Sequence, residues 1–247
     1  MRGFRIPFDG HILVGDIMAG EAPPRLVVLH GAGQSCRERF RQLREHFWAR
    51  GIGSVAFDCI GHGDTGGDLR SSSLESRTEQ ASAIIEAAGV SRPFSILAAS
   101  MGGYTAVTLL QRYDIANLVL IGPAMYAAAA YAVPFNGGFT EIIRRPHSWE
   151  ASDAWDILSG FAGQLLVVAG ERDTVIPPGV IQRIYQSAAN AKERAVYVAT
   201  GASHLIITDL RANDPERLDQ LLDLMTQTLR GDADSDRAQK RQAAMES

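Results

Sequence analysis

Only two cysteines occur in the 247 residues, Cys36 and Cys59. They stand far apart without paired spacing, which favours two free thiols over a disulfide framework or a cysteine-built metal site. Long hydrophobic runs are missing as well. No stretch approaches the roughly eighteen uncharged apolar residues that span a bilayer, and the opening MRGFRIPFDG has no apolar signal segment. The expectation is a soluble, cytoplasmic protein. A basic excess is also absent: 24 Lys and Arg against 28 Asp and Glu give a formal charge of −4, with no broad positive footprint for nucleic acid.

What is present is a large apolar fraction, 46% of residues, enough for a substantial core. FRIPFDGHILVGDI (4–17) reads as two short strands around an Asp9-Gly10 turn, because Asp-Gly reaches positive φ cheaply. Further on, short apolar runs at 25–30, 53–58, 94–99, 117–122, 164–170 and 194–199 stop at turn or small residues. Continuous apolarity of this length suits strands buried on both faces of a parallel sheet. Between them, 36–50, 73–88, 101–112, 178–189 and 214–230 carry apolar residues at helical spacing. This alternation predicts a doubly wound, mostly parallel α/β sheet of about eight strands, helices on both faces, in one domain over 1–230.

Two regions break the rhythm. Residues 123–162 are too long for a plain crossover and hold Gly137-Gly138, prolines and several aromatics, so they read as an insertion over the sheet edge, a candidate lid. The tail 231–247 is polar and mixed in charge, which predicts disorder or a frayed helix.

In FSILAASMGGYTAV a strand runs into a helix with almost no loop, and Ser100 stands at the junction. Such a turn needs small neighbours two residues to either side, which Ala98 and Gly102 supply. Alanine replaces the first glycine of G-x-S-x-G, and serine is also a preferred helix N-cap, so the pentapeptide alone leaves both readings open. VVLHGAGQS bears on the choice, because its glycines let the chain turn sharply at the end of a neighbouring strand. The amides of Ala32 and Met101 could then face one point beside Ser100 Oγ, where an oxyanion would develop. His30 reads as structural.

A nucleophilic serine needs a base, and the base needs an orienting acid. LLVVAGERDTVIPP places Asp173 just past a predicted strand, and AVYVATGASHLII places His204 just past another. Serine, acid and histidine thus follow in order at the carboxyl rim, where open parallel sheets hold ligands. Asp153 and Asp156 in the insertion are rival acids, less favoured because they do not directly follow a rim strand. Asp58, His62 and Asp64 in DCIGHGDTGG invite a metal reading, but one short loop lacks the second ligand cluster of a closed site. A loop braced by side-chain hydrogen bonds and lining the site is preferred. Arg144, Arg145, His147, Trp149 and Trp155 of the insertion are candidates to contact an acyl chain or an anionic group, but most are read as packing the lid onto the core or facing water.

Together, LHGAGQS, DCIGHGDTGG, AASMGG, GERDTVIP and GASH resemble the α/β-hydrolase superfamily over about residues 4–230. Within it, the resemblance is to small serine esterases, thioesterases and monoacylglycerol-lipase-like members. It implies Ser100 as nucleophile, Asp173 as acid, His204 as base, and Ala32 with Met101 as oxyanion amides. It also implies a small acyl ester or thioester substrate and neither metal nor organic cofactor. Ala98 and the shortness of the lid are its departures from the family pattern. The same triad would serve an acyltransferase, a peptidase or a lyase, and the same fold a non-catalytic small-molecule binder.

Overall fold

The computed structural model describes residues 1–231 of the chain. The predicted hairpin forms from β1 (Arg2–Phe8) and β2 (His11–Met18). Asp9 and Gly10 both take positive φ, 45° and 73°, the turn whose twist matches that of the strands. The chain continues through β3 (Leu26–Leu29), a 3₁₀ turn at Arg37–Phe40, α1 (Arg41–Trp48), β4 (Ser54–Asp58) and α2 (Leu74–Ala87). It then forms β5 (Phe94–Ala99), α3 (Met101–Leu109), β6 (Ile115–Ile121), α4 (Phe139–Ile143) and α5 (Ala154–Ser159). Last come β7 (Gln164–Gly170), α6 (Pro178–Ser187), β8 (Glu193–Ala199), α7 (Ile206–Asn213) and α8 (Pro215–Arg230). Except for Gly231, the tail expected to be disordered or frayed lies outside the described residues.

All eight strands join one sheet in the order β1-β2-β4-β3-β5-β6-β7-β8. β2 runs antiparallel to β1 and β4, and the other pairings are parallel. Successive residues of the central strands feed opposite cores. Val27, Leu29, Leu118 and Leu120 face one cluster, and Leu26, Val28, Val119 and Ile121 face the other. Burial on both sides is why these strands read as unbroken apolar runs. Helices α2, α3, α5 and α6 close the first core through residues such as Ile84, Tyr104, Leu158 and Ile184. Helices α1, α7 and α8 close the second through Phe47, Leu210 and Met225.

β3 has β4 on one side and β5 on the other. The winding therefore reverses at β3, and a crevice opens between the carboxyl ends of β3 and β5, where such sheets take their ligands. Gly31-Ala32 follows β3, and Ser100 follows β5.

The insertion between β6 and β7 is tied down rather than free-standing. Phe139, Trp155 and Leu158 are buried, and Tyr104 Oη of α3 donates to Asp153 Oδ1 at 2.6 Å. Trp155 Nε1 donates to the carbonyls of Trp149 and Glu150, both at 3.1 Å. Among the described residues, no helix is long and apolar enough to cross a membrane.

Candidate active site

Ser100 sits at φ 49°, ψ −121°, between the last residue of β5 and the first of α3. A non-glycine residue there costs on the order of 1–3 kcal/mol and persists only where its surroundings over-determine it. They do so here: its amide donates to Ile121 O at 3.0 Å, and its carbonyl accepts from Gly103 N at 2.9 Å and Ala124 N at 3.0 Å. Ser100 Oγ makes no cap bond to α3, so the hydroxyl is turned away from the helix it precedes. A Cβ at Gly102 would stand 2.8 Å from the carbonyl oxygens of both Leu29 and His30, so only glycine lets α3 start this close to β3. Ala98, the departure from the pentapeptide, is fully buried in the sheet, and its methyl belongs to the first core.

The structure brings all three expected rim residues together. His204 Nδ1 lies 2.8 Å from Asp173 Oδ2, and His204 Nε2 lies 3.1 Å from Ser100 Oγ. A carboxylate only accepts, so the contact with Asp173 places the ring proton on Nδ1 and leaves Nε2 to accept from the serine hydroxyl. The other carboxylate oxygen, Asp173 Oδ1, accepts from the amides of Val175 at 2.8 Å and Ile176 at 3.0 Å. The Asp173 side chain is 7% exposed and that of His204 20%, so the carboxylate is screened while the imidazole reaches the cavity. Gly122 passes beneath the ring, where a Cβ would lie 3.2 Å from two imidazole atoms. Ser203, just before the histidine, is held by Asp209 of α7: Asp209 Oδ2 accepts from Ser203 N at 2.7 Å and Oγ at 2.6 Å. Those two bonds, the hydroxyl's first, hold the Asp209 carboxyl below the usual aspartate range.

The turn after β3 rests on buried polar groups. His30 Nε2 accepts from Cys59 N at 3.0 Å, which leaves Nδ1 to donate to Gly31 O at 2.7 Å. Burial, then the charge of Arg77 and the neighbouring His62, push the His30 pKa well down and keep it neutral. The structural reading of His30 agrees with this. Arg77, 2% exposed, sends Nη2 to the carbonyls of His30 at 2.7 Å and Gly31 at 3.2 Å. The same guanidinium leaves Nε and Nη1 buried without a partner among the described residues. Sequence reasoning passed over Arg77 because it is one charged residue in an ordinary-looking helix.

DCIGHGDTGG forms the braced loop that was expected. Asp58 accepts from the guanidinium and, at 2.7 Å, the amide of Arg37, and Asp64 pairs with the same guanidinium at 2.6 Å. The loop does not line the cavity at Ser100, which is a correction. It supports the site from behind, through Cys59 and His30.

That cavity measures about 160 Å³ and contains Ser100, His204, Gly31 and Ala32 in its walls. Its apolar lining includes Phe40, Leu43, Ile121, Ile206 and Ile207, and its polar lining includes Arg39 and Arg211. No residue of the 123–162 insertion lines it, including Arg144, Arg145, His147, Trp149 and Trp155. The sequence reading missed these walls: helix α7, directly after His204, was not predicted at all.

A strained serine after the fifth strand, a histidine and aspartate on neighbouring rim loops, and this strand order define an α/β hydrolase. A family model described as serine aminopeptidase, S33, matches residues 20–152, which include Ala32, Ser100 and Met101, and the chain belongs to this family. Among solved structures, a monoacylglycerol lipase from Paleococcus ferrophilus is similar at 21% identity and TM-score 0.65, covering 87% of this chain and 96% of that one. An esterase from Exiguobacterium antarcticum aligns at 18% identity and TM-score 0.67, over 90% of this chain and 100% of its own. Est1E from Butyrivibrio proteoclasticus, with ferulic acid bound, aligns at 17% identity and TM-score 0.68, over 91% and 100%. At such identities the likeness establishes the fold. No curated protein matches the sequence.

Proposed function

We propose that the protein is a serine hydrolase that cleaves a carboxylic ester, or the corresponding thioester, through an acyl-enzyme. The observation that carries this reading is the unbroken hydrogen-bonded chain from Asp173 through His204 to Ser100 beside an open cavity. Ser100 Oγ attacks the carbonyl carbon as its proton passes to His204 Nε2, and Asp173 stabilises the imidazolium through Nδ1. The carbonyl oxygen becomes an anion, received by the amides of Ala32 and of Met101, the first residue of α3, whose N–H has no partner inside the helix. His204 then gives its proton to the leaving oxygen or sulfur as the bond to carbon breaks. Water enters, loses a proton to His204, attacks the acyl-serine, and Ser100 recovers its proton on release of the acid. Protein groups and water complete the cycle, so the proposal requires neither metal nor organic cofactor.

The test is hydrolysis of p-nitrophenyl and acyl-thioester substrates, with labelling by a fluorophosphonate. Ser100→Ala should lose labelling and on the order of 10⁴-fold or more in kcat. Wild-type turnover in that variant would overturn the mechanism, and a protein that binds small acyl compounds without labelling would be a binder.

A second reading, peptide-bond hydrolysis, draws on the family description, serine aminopeptidase. The cavity argues against a free amino terminus as its ligand. Among the described residues lining it are two arginines and no carboxylate, and a protonated amine there would meet repulsion.

A further inference from the structure

The cavity beside Ser100 carries two guanidiniums whose side chains have no partner among the described residues. Arg37, Arg39, Arg41 and Arg44 follow closely in the sequence. Three are matched: Arg37 to Asp16, Asp58 and Asp64, Arg41 to Glu38, and Arg44 to Asp16. Arg39 is the exception. Its side chain has no hydrogen bond or ion pair among the described residues, and it is the one of the four that lines the cavity.

Arg211, across the cavity on α7, is in the same condition. The acids next to it are already engaged, Asp209 by Ser203 and Asp214 by Arg217. Both segments are anchored from behind, the 3₁₀ turn by Arg37 and α7 by the Asp209–Ser203 bonds. The two free guanidiniums are thus presented by fixed elements in a chain whose net charge is negative. At about 160 Å³ the space is small, below the ~300–1,000 Å³ range typical of drug-sized ligands.

We infer that the substrate is a short ester whose arm inside this cavity ends in an anionic group, a carboxylate or a phosphate, held by Arg39 and Arg211. Guanidinium is the side chain whose fork of donors fits the oxygens of either anion, and free, pre-positioned forks need no internal pair to be broken first. Apolar lining residues of the same cavity, among them Phe40, Leu43 and Ile206, would pack against the methylenes between the reacting carbonyl and the charge. The inference rests on the serine-hydrolase reading and narrows its substrate class.

Two matched ester pairs test it. Mono-p-nitrophenyl glutarate against p-nitrophenyl valerate places the charge on the acyl arm, and 4-acetoxybutanoate against butyl acetate places it on the alcohol arm. For at least one pair, wild-type kcat/KM should favour the charged ester at least tenfold. In Arg39→Gln/Arg211→Gln that ratio should fall at least tenfold, and Arg211→Glu should invert it. Using ratios within each variant removes any general loss from imperfect folding. Inorganic phosphate and acetate, compared as competitive inhibitors, tell which anion is preferred. Ser100-dependent turnover with no charged preference in either pair, or with ratios within twofold of wild type in the double variant, overturns the inference and leaves the hydrolase reading standing. Absence of Ser100-dependent turnover of every ester overturns the reading beneath it.

Discussion

On one side of Ser100, the turn after β3 is fastened by Arg77 Nη2 and by both ring nitrogens of His30, which engage the carbonyls of His30 and Gly31 and the amide of Cys59. On the other side, Arg39 and Arg211 reach the cavity with no protein partner among the described residues. The same residue type thus serves two ends. Inside, a guanidinium fixes backbone geometry; at the cavity, two stand without a partner among the described residues. The difference follows burial, since Arg77 is 2% exposed and Arg39 and Arg211 are exposed. A buried arginine must find acceptors within the protein, whereas an exposed one can wait in water at little cost.

The largest effect on the fastened side should come from Gly102→Ala. The new methyl meets two backbone oxygens at 2.8 Å, neither of which can swing away as a side-chain end would. Overpacking of this kind costs about 1–3 kcal/mol, and each kcal/mol lowers Tm by roughly 2–4 °C in a chain of this size. Pushing α3 outward also shifts Ser100 and the Met101 amide, so kcat should fall on the order of 10²-fold. Thermal melting and turnover of a neutral ester check both, and a variant with wild-type values in each would show that the close approach of α3 to β3 is not needed.

Arg77→Met separates positioning from stability. Losing the charged donor costs about 1.5–3 kcal/mol. Removing a buried guanidinium with Nε and Nη1 unpartnered recovers desolvation of similar size. Stability should therefore change little, within about 1–2 kcal/mol. The turn that carries the Ala32 amide loses its anchor, and kcat should drop roughly tenfold, a fraction of the 10²–10³ for losing an oxyanion donor outright. KM should stay near wild type, and Arg77→Lys should restore part of kcat. A fall in Tm that accounts for all the lost activity would reduce Arg77 to a structural residue.

The fastened side was the more legible in the sequence, and the reason is physical. Strain at Ser100, the tight start of α3 and the sharp turn at Gly31 all demand particular residue types locally, so AASMGG and LHGAG carry their own signal. The Asp9-Gly10 hairpin was readable on the same ground. Asp173 and His204 could be placed because each lies in the loop just after a strand, although their 2.8 Å contact joins residues far apart in the chain. The open side was not legible. Helix α7 is eight residues long, has no side-chain N-cap, and runs almost directly into α8, so LIITDLRAN gives little helical punctuation. Arg39 looked like any charge in RERFRQLREH, because its lack of a partner depends on Asp16, Asp58 and Asp64 all choosing Arg37 or Arg44 instead. The insertion at 123–162 was seen as a break in rhythm, but its attachment through Tyr104 and Asp153 is a long-range contact that no local pattern encodes.

Asp209 lies where the two sides meet, since it ties the open wall, α7, to the loop that carries His204. Asp209→Asn keeps the shape but weakens the two bonds to Ser203, which accept best as a carboxylate. Because the folded carboxyl titrates below its ordinary value of 3.8, its contribution is fully present above that value. It disappears as pH falls through the lower folded-state value. Wild type and Asp209→Asn should therefore differ by a constant margin near neutrality and converge at the acid end of an unfolding series. With His204 less firmly placed, kcat at neutral pH should fall by about two- to fivefold, with the charged-to-neutral ester ratio lowered as well because Arg211 rides on the same helix. A variant that loses turnover without any change in that ratio would show that α7 holds the base but does not hold the anion site.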